Sequence, residues 1–207
     1  MLMELPLGNL AVWLNFAGIS VFAASGALAA ARKRLDFIAA WFFALVTATG
    51  GGTLRDLLIG APVFWMHDSM PVILCTIVAV VVWAVPLRWW PNRMLEWLDA
   101  AGLAAYSVYG AAKAMQFGVS PVPAIAAGVI TACVGGVIRD ITVGVPSILL
   151  RNEIYVTASV LAAIAFVALT TAGIAAPWPS AAGFAVGFLL RGIAIRWRIA
   201  LPLHRGH

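Results

Sequence analysis

Charge is scarce in this 207-residue sequence: Asp, Glu, Lys and Arg supply 10% of it, while 63% is apolar. Soluble domains run near ~25% charged and ~45–50% apolar. A large core does not explain the deficit, because a soluble chain of this size must still cover itself with polar surface. Residues 5–31, 37–54, 69–87, 114–138 and 154–190 carry no charged side chain at all. Runs of ~18 or more such residues read as membrane-spanning helices. The absence excludes a soluble enzyme, a nucleic-acid binder and a disordered scaffold, and indicates an all-α, polytopic membrane protein whose first partner is the lipid bilayer.

Cysteine is almost missing too. Cys75 and Cys133 lie alone in apolar segments with no histidine near them in sequence, so they read as small buried hydrophobes and carry no redox information. No nucleophile–base set, metal-ligand cluster or phosphate loop occurs, so neither an enzyme nor a cofactor nor a metal is expected. The opening MLMELPLGNL has Glu4 but no basic residue. It lacks the n-region of a cleavable signal peptide, and the first helix is expected to be a permanent span.

What is present divides into seven spans, near 9–31, 36–59, 69–88, 95–117, 119–143, 153–174 and 180–197. Pro177-Trp178-Pro179 splits the longest charge-free run into two helices. Asp99 and Lys113 leave only a short charge-free run in the fourth span. Trp89, Trp90 and Trp97 flank spans three and four, where amphipathic rings prefer the headgroup level. The net charge of +5 is read by position. Arg32, Lys33, Arg34, Arg88, Arg93, Arg151, Arg196, Arg198 and Arg205 all fall on one side of a seven-span arrangement; Glu4, His67 and Asp68 fall on the other. The positive-inside rule then puts the N-terminus outside and the C-terminus in the cytoplasm of a cell (inner, plasma) membrane.

An internal repeat stands in one register. A shift of 84 residues places Gly18 on Gly102, Gly26 on Gly110, Thr47 on Thr131, Gly51-Gly52 on Gly135-Gly136, Arg55-Asp56 on Arg139-Asp140, Gly60 on Gly144 and Pro62 on Pro146. The chain is one membrane domain: repeat one over 9–90, repeat two over 93–174, and a seventh helix over 180–197. Three helices per unit is odd, so the second unit enters the membrane from the opposite side. Inverted repeats with interrupted helices are a transporter and channel architecture.

Within each repeat the informative segment is a glycine cluster followed by Arg-Asp. Gly50, Gly51 and Gly52, and again Gly135 and Gly136, each cost ~1 kcal/mol of helix propensity relative to alanine. They predict a kink or local unwinding whose carbonyls face a protein-lined or water-filled path; close helix packing is the other reading. Thr47 and Thr131 offer hydroxyls near mid-membrane, unless they bond their own helix. Neighbouring residues point ~100° apart on a helix, so each Arg is expected to pair poorly with its own Asp. The units Arg55-Asp56 and Arg139-Asp140 should lie roughly 20 Å apart in depth at ~1.5 Å per residue, lining one vestibule per face, or serve as interfacial anchors. Lys113 answers to Ala29 across the repeat and has no acidic residue within a helical turn. An electrostatic gate and a snorkelling anchor both explain it.

The doubled Gly-Gly-x-x-Arg-Asp element, each time followed by Gly-x-Pro, together with Gly110-Ala111-Ala112-Lys113-Ala114 and the 3+3+1 plan, resembles the prokaryotic trimeric intracellular cation (TRIC) channel family. Related bacterial sequences are described as glycine transporter domains. The resemblance implies a homotrimer with a pore inside each subunit, helices two and five kinked at the glycines, a monovalent cation (chiefly potassium) as permeant species, a bound lipid as a further ligand, and Lys113 as a gate. One departure stands out: the second element has two glycines where the first has three, which predicts a milder break there. The expected function is a cation channel; a secondary transporter of a small solute such as glycine is the alternative.

Overall fold

The computed structural model describes residues 9–91, 93–148 and 154–200. Charge-poor sequence becomes helix almost throughout: α1 (Asn9–Arg32), α2 (Phe37–Leu58), the single turn α3 (Phe64–His67), α4 (Met70–Ala84), α5 (Met94–Gln116), α6 (Pro121–Val143), α7 (Val156–Thr171) and α8 (Trp178–Trp197). Local chemistry sets the ends. The Asp36 carboxylate accepts from the Ala39 amide at 2.8 Å and caps α2. Prolines occupy the first turns of α4, α6 and α8, where no amide partner is lost. Gly144, at φ 72°, closes α6 in the left-handed conformation.

Among the described residues, α1, α2, α6 and α8 are long and apolar enough to cross a membrane. Helices α4 and α7 are apolar but have 15 and 16 residues, and α5 carries Glu96, Asp99 and Lys113. The span expected over 69–88 is shorter than its sequence suggested. Pro86 forces Val85 into an extended conformation, and a 3-10 turn, Leu87–Trp89, follows. The span expected from 153 begins as helix at Val156; Glu153 and the loop residue Arg151 lie outside the described residues, as do Glu4 and Arg205. Large apolar side chains, among them Trp13, Ile38, Leu57, Val122 and Leu189, face outward, the arrangement a hydrocarbon surround stabilises.

Helices α1 and α5 stand at the centre. Helix α1 packs on α2, α4 and α5; α5 packs on α1, α6, α7 and α8; and α2 crosses α6. The repeat is visible in the packing. Gly18 lies against the Tyr106 ring and its mate Gly102 lies against the Phe22 ring. Tyr106 and Phe22 are themselves mates, with ring centroids 5.2 Å apart. Both cysteines are buried and free. Gly183 and Gly187 of α8 rest on Val108, Ala162 and Ala104, so this small-residue pair seats α8 on α5 and α7 within the subunit.

Candidate functional site

The glycine clusters lie where α2 crosses α6. A Cβ on Gly51 would overlap the Thr131 carbonyl oxygen, and a Cβ on Gly135 would overlap the Thr47 carbonyl oxygen. The two helices thus approach to backbone contact in a reciprocal pair, of the kind Cα–H···O contacts stabilise. The unwinding expected from sequence is absent: α2 and α6 run through their glycines as unbroken helix. The physical reason is that the space left by Gly51 and by Gly135 is filled by the facing carbonyl, so close approach, rather than a broken ladder, uses these glycines. Gly50 faces Ile138, Gly52 faces the Phe64 ring, and Gly136 faces the Tyr155 hydroxyl and Asp99.

The threonines beside this crossing differ. Thr131 donates to the Ala127 carbonyl of its own helix at 2.6 Å. Thr47 is buried and its hydroxyl has no hydrogen-bond partner among the described residues. Tyr106 donates to the Ala48 carbonyl at 2.8 Å; its mate Phe22 has no hydroxyl, so only α2 receives this extra bond.

Past the glycines, both Arg-Asp units are buried. Arg55 donates from Nε and Nη2 to Asp56 Oδ1 at 2.9 and 2.8 Å. Arg139 does the same to Asp140 Oδ1 at 2.9 and 2.7 Å. This corrects the expectation that adjacent residues on a helix pair poorly. The Arg stem is long enough to curl around the helix, and in a dry interior a guanidinium fork and a carboxylate gain most from each other. The second oxygen of each carboxylate reaches onward: Asp56 Oδ2 accepts from the Phe64 amide and Asp140 Oδ2 from the Ile148 amide, both at 3.0 Å. Each unit is therefore a clamp on the loop that follows its own helix, which is what the Gly-x-Pro tail positions.

Helix α5 supplies one partner to each clamp. Lys113 Nζ lies 2.8 Å from Asp56 Oδ1, with the Phe64 and Phe117 rings 5.8 and 5.9 Å away. The acidic partner absent from its own helix comes from α2. Asp99 Oδ1 accepts from Arg139 Nη1 at 2.8 Å, and the Ser25 hydroxyl of α1 also meets that nitrogen. Lys113 and Asp99 are 14 residues apart on one helix, roughly 21 Å at ~1.5 Å per residue. The clusters sit at opposite ends of α5, and no bond joins them among the described contacts.

Beside the second cluster is a cavity of about 190 Å³, lined by Ala29, Arg32, Lys33, Leu95, Glu96, Asp99, Arg139, Asp140, Val143, Val145, Ile148 and Arg191. Among the described residues no group of His, Cys, Asp and Glu is arranged to hold a metal. Sequence reasoning missed Asp99, Ser25, Tyr106, Tyr109, Tyr155 and Arg191 as site residues. Arg191 of α8 stands over the Tyr155 ring at 5.4 Å. For Asp99 and Arg191 the signal was there: an ionisable residue inside an apolar span is rarely idle.

Comparison with known proteins finds relatives over almost the whole chain. A family model described as "Glycine transporter" matches twice, at residues 12–86 and 96–171. The UPF0126 inner membrane protein YadS of Escherichia coli is 38% identical over 197 residues, covering 93% of this chain and 95% of the relative. The TRIC trimeric intracellular cation channel orthologue from Rhodobacter sphaeroides superposes with TM-score 0.86 at 41% identity, covering 93% of this chain and all of that one. A second solved TRIC cation channel gives TM-score 0.82 at 26% identity over 95% of this chain and 98% of the other. With the outward apolar surface and the long apolar helices, these likenesses identify a multi-pass, all-helical membrane protein.

Proposed function

This chain belongs to the glycine transporter family, together with the TRIC channels it resembles in sequence and fold, and from that premise we propose that it is a monovalent cation channel, chiefly for potassium. The pathway runs inside each subunit of a homotrimer, along the crossing of α2 and α6. The observation that carries this reading is the reciprocal glycine contact: Gly51 on the Thr131 carbonyl and Gly135 on the Thr47 carbonyl. Moving either helix there uncovers backbone carbonyls and the Thr47 hydroxyl, groups that replace an ion's water. Glycine makes a bend cheap at those positions. The pairs Arg55–Asp56 and Arg139–Asp140 hold the flanking loops, and Lys113 places a cation beside one mouth as a gate.

Seven spans fit this reading, with α5 completing the set of long helices because its charges are paired within the protein. The basic residues Arg32, Lys33, Arg34, Arg88, Arg93, Arg196 and Arg198 support a cytoplasmic C-terminus and an external N-terminus in the inner membrane. The Lys113 cluster then faces outward and the Asp99 cluster faces the cytoplasm. A second reading, a carrier of a small zwitterion such as glycine, is favoured by the cavity beside Asp99, whose walls present both carboxylates and guanidinium groups. Reconstitution in liposomes and planar bilayers separates the two. A channel gives unitary currents whose reversal potential under opposed potassium and sodium gradients lies toward potassium. Saturable glycine uptake without unitary currents would replace the channel by the carrier.

A further inference from the structure

The 84-residue repeat makes each charged cluster a template for the other. In the second repeat the guanidinium of Arg139 is bonded on every side: Nε and Nη2 to Asp140, Nη1 to Ser25 and to Asp99 Oδ1. The mates of Asp140, Ser25 and Asp99 around Arg55 are Asp56, Tyr109 and Asn15. Arg55 keeps the bonds to Asp56. The Tyr109 ring, 5.2 Å from the guanidinium carbon, takes the place of Ser25. The third partner is missing. Asn15 makes no described bond to Arg55, whose Nη1 has no hydrogen-bond partner among the described residues although the residue is only 1% exposed.

Charge repeats the pattern. Arg139 meets two carboxylates, Asp99 and Asp140. In the first repeat two cations, Arg55 and Lys113, share the single carboxylate of Asp56. A buried donor without an acceptor and a buried cation without its counter-charge are both costly, and more so within a membrane. We propose that Arg55 Nη1 is the donor of a binding site for a small monovalent anion, a halide or the carboxylate end of a small solute, on the side of the guanidinium that corresponds to the one Asp99 meets on Arg139. The anion satisfies Nη1 and brings the cluster to neutrality. The site does not depend on whether the protein conducts or carries, and it is read by stability rather than flux.

The test is thermal unfolding of the full-length protein in non-ionic detergent at constant ionic strength, with bulky methanesulfonate as the background anion. Chloride is titrated in one arm and glycine in another. A rise in the unfolding midpoint that grows with the logarithm of probe concentration is expected, corresponding to about a hundredfold gain in folded over unfolded population at about 100 times the dissociation constant. A response to chloride assigns a halide; a response to glycine alone assigns a carboxylate. Asn15→Asp should supply the carboxylate from within the chain and abolish the response. A midpoint indifferent to both probes, or an unaltered response in Asn15→Asp, overturns the proposal.

Discussion

Alanine at Gly51, compared with alanine at its neighbour Gly50, tests why the glycines are there. In an ordinary helix either change should stabilise by ~1 kcal/mol through propensity alone. At Gly50 the new Cβ meets the end of the Ile138 side chain at 2.8 Å. That methyl can turn aside, so the variant should match or slightly exceed the starting protein. At Gly51 the new Cβ meets the Thr131 carbonyl, which is backbone and cannot turn. To go from the 2.1 Å that the new Cβ would have to an ordinary C···O spacing of ~3.3–3.6 Å, the helices must part by about 1.2–1.5 Å. A gap of that size forfeits about half or more of the dispersion attraction across it. Overpacking of this kind costs about 1–3 kcal/mol, so Gly51→Ala should lose up to ~2 kcal/mol net. Gly135→Ala should behave alike, because its Cβ meets the Thr47 carbonyl of the same crossing. One separation relieves both clashes, so the double variant should cost clearly less than the sum of the singles. Thermal unfolding in detergent, with the oligomer followed by size exclusion, reads the four variants against the starting protein. If Gly51→Ala and Gly135→Ala are as stable as Gly50→Ala, the reciprocal contact does not hold the crossing, and the reasoning fails.

Lys113→Ala should raise cation current or open probability, and Lys113→Glu should raise it further, while Lys113→Arg stays near the starting protein. The Coulomb barrier of a unit charge at ~8 Å and an effective dielectric of ~20 is about 2 kcal/mol, a ceiling of roughly thirtyfold, which Asp56 at 2.8 Å lowers. Equal single-channel records for Lys113→Glu and the unmodified protein would remove Lys113 from the gate. Asp140→Ala should free the Ile148 amide, now bonded at 3.0 Å. The loss of a charge-assisted bond, about 1.5–3 kcal/mol, predicts amide exchange at Ile148 roughly ten- to hundredfold faster, with Phe64 unchanged. Unaltered exchange at Ile148 would show that something else fixes that loop.

Much of the architecture was legible because the membrane simplifies the code. Charge-free length gives helices, and rare residues in a fixed register give the repeat. The site was harder to read, since its meaning lies in which atoms face each other across helices. Gly51 and Gly135 look like breaks when each is considered on its own helix; only the facing carbonyls of Thr131 and Thr47 turn them into a crossing. The pairing of Arg55 with Asp56 defied the angular argument because that argument concerns where Cβ points, and an arginine head travels far from its Cβ. Asp99 lowers the hydropathy of its span, so on composition alone it weakens the case for a membrane helix. Its bond to Arg139 shows the same residue as part of the solution to a buried charge. Tyr106 gave no signal, since nothing in its surroundings in sequence tells it from an ordinary aromatic of the core.

Both clamps grip backbone. Asp56 holds the amide of Phe64 and Asp140 holds the amide of Ile148, and an amide is present whichever side chain stands there, proline excepted. The fastening of each loop is thereby uncoupled from its chemical identity. An aromatic ring can cap one end of the helix pair and an aliphatic chain the other without disturbing how either is attached. After a duplication, such a joint lets the two ends of the helix pair drift apart in size and polarity while the frame between them keeps its dimensions, which is how one ancestral half can come to face two unlike compartments.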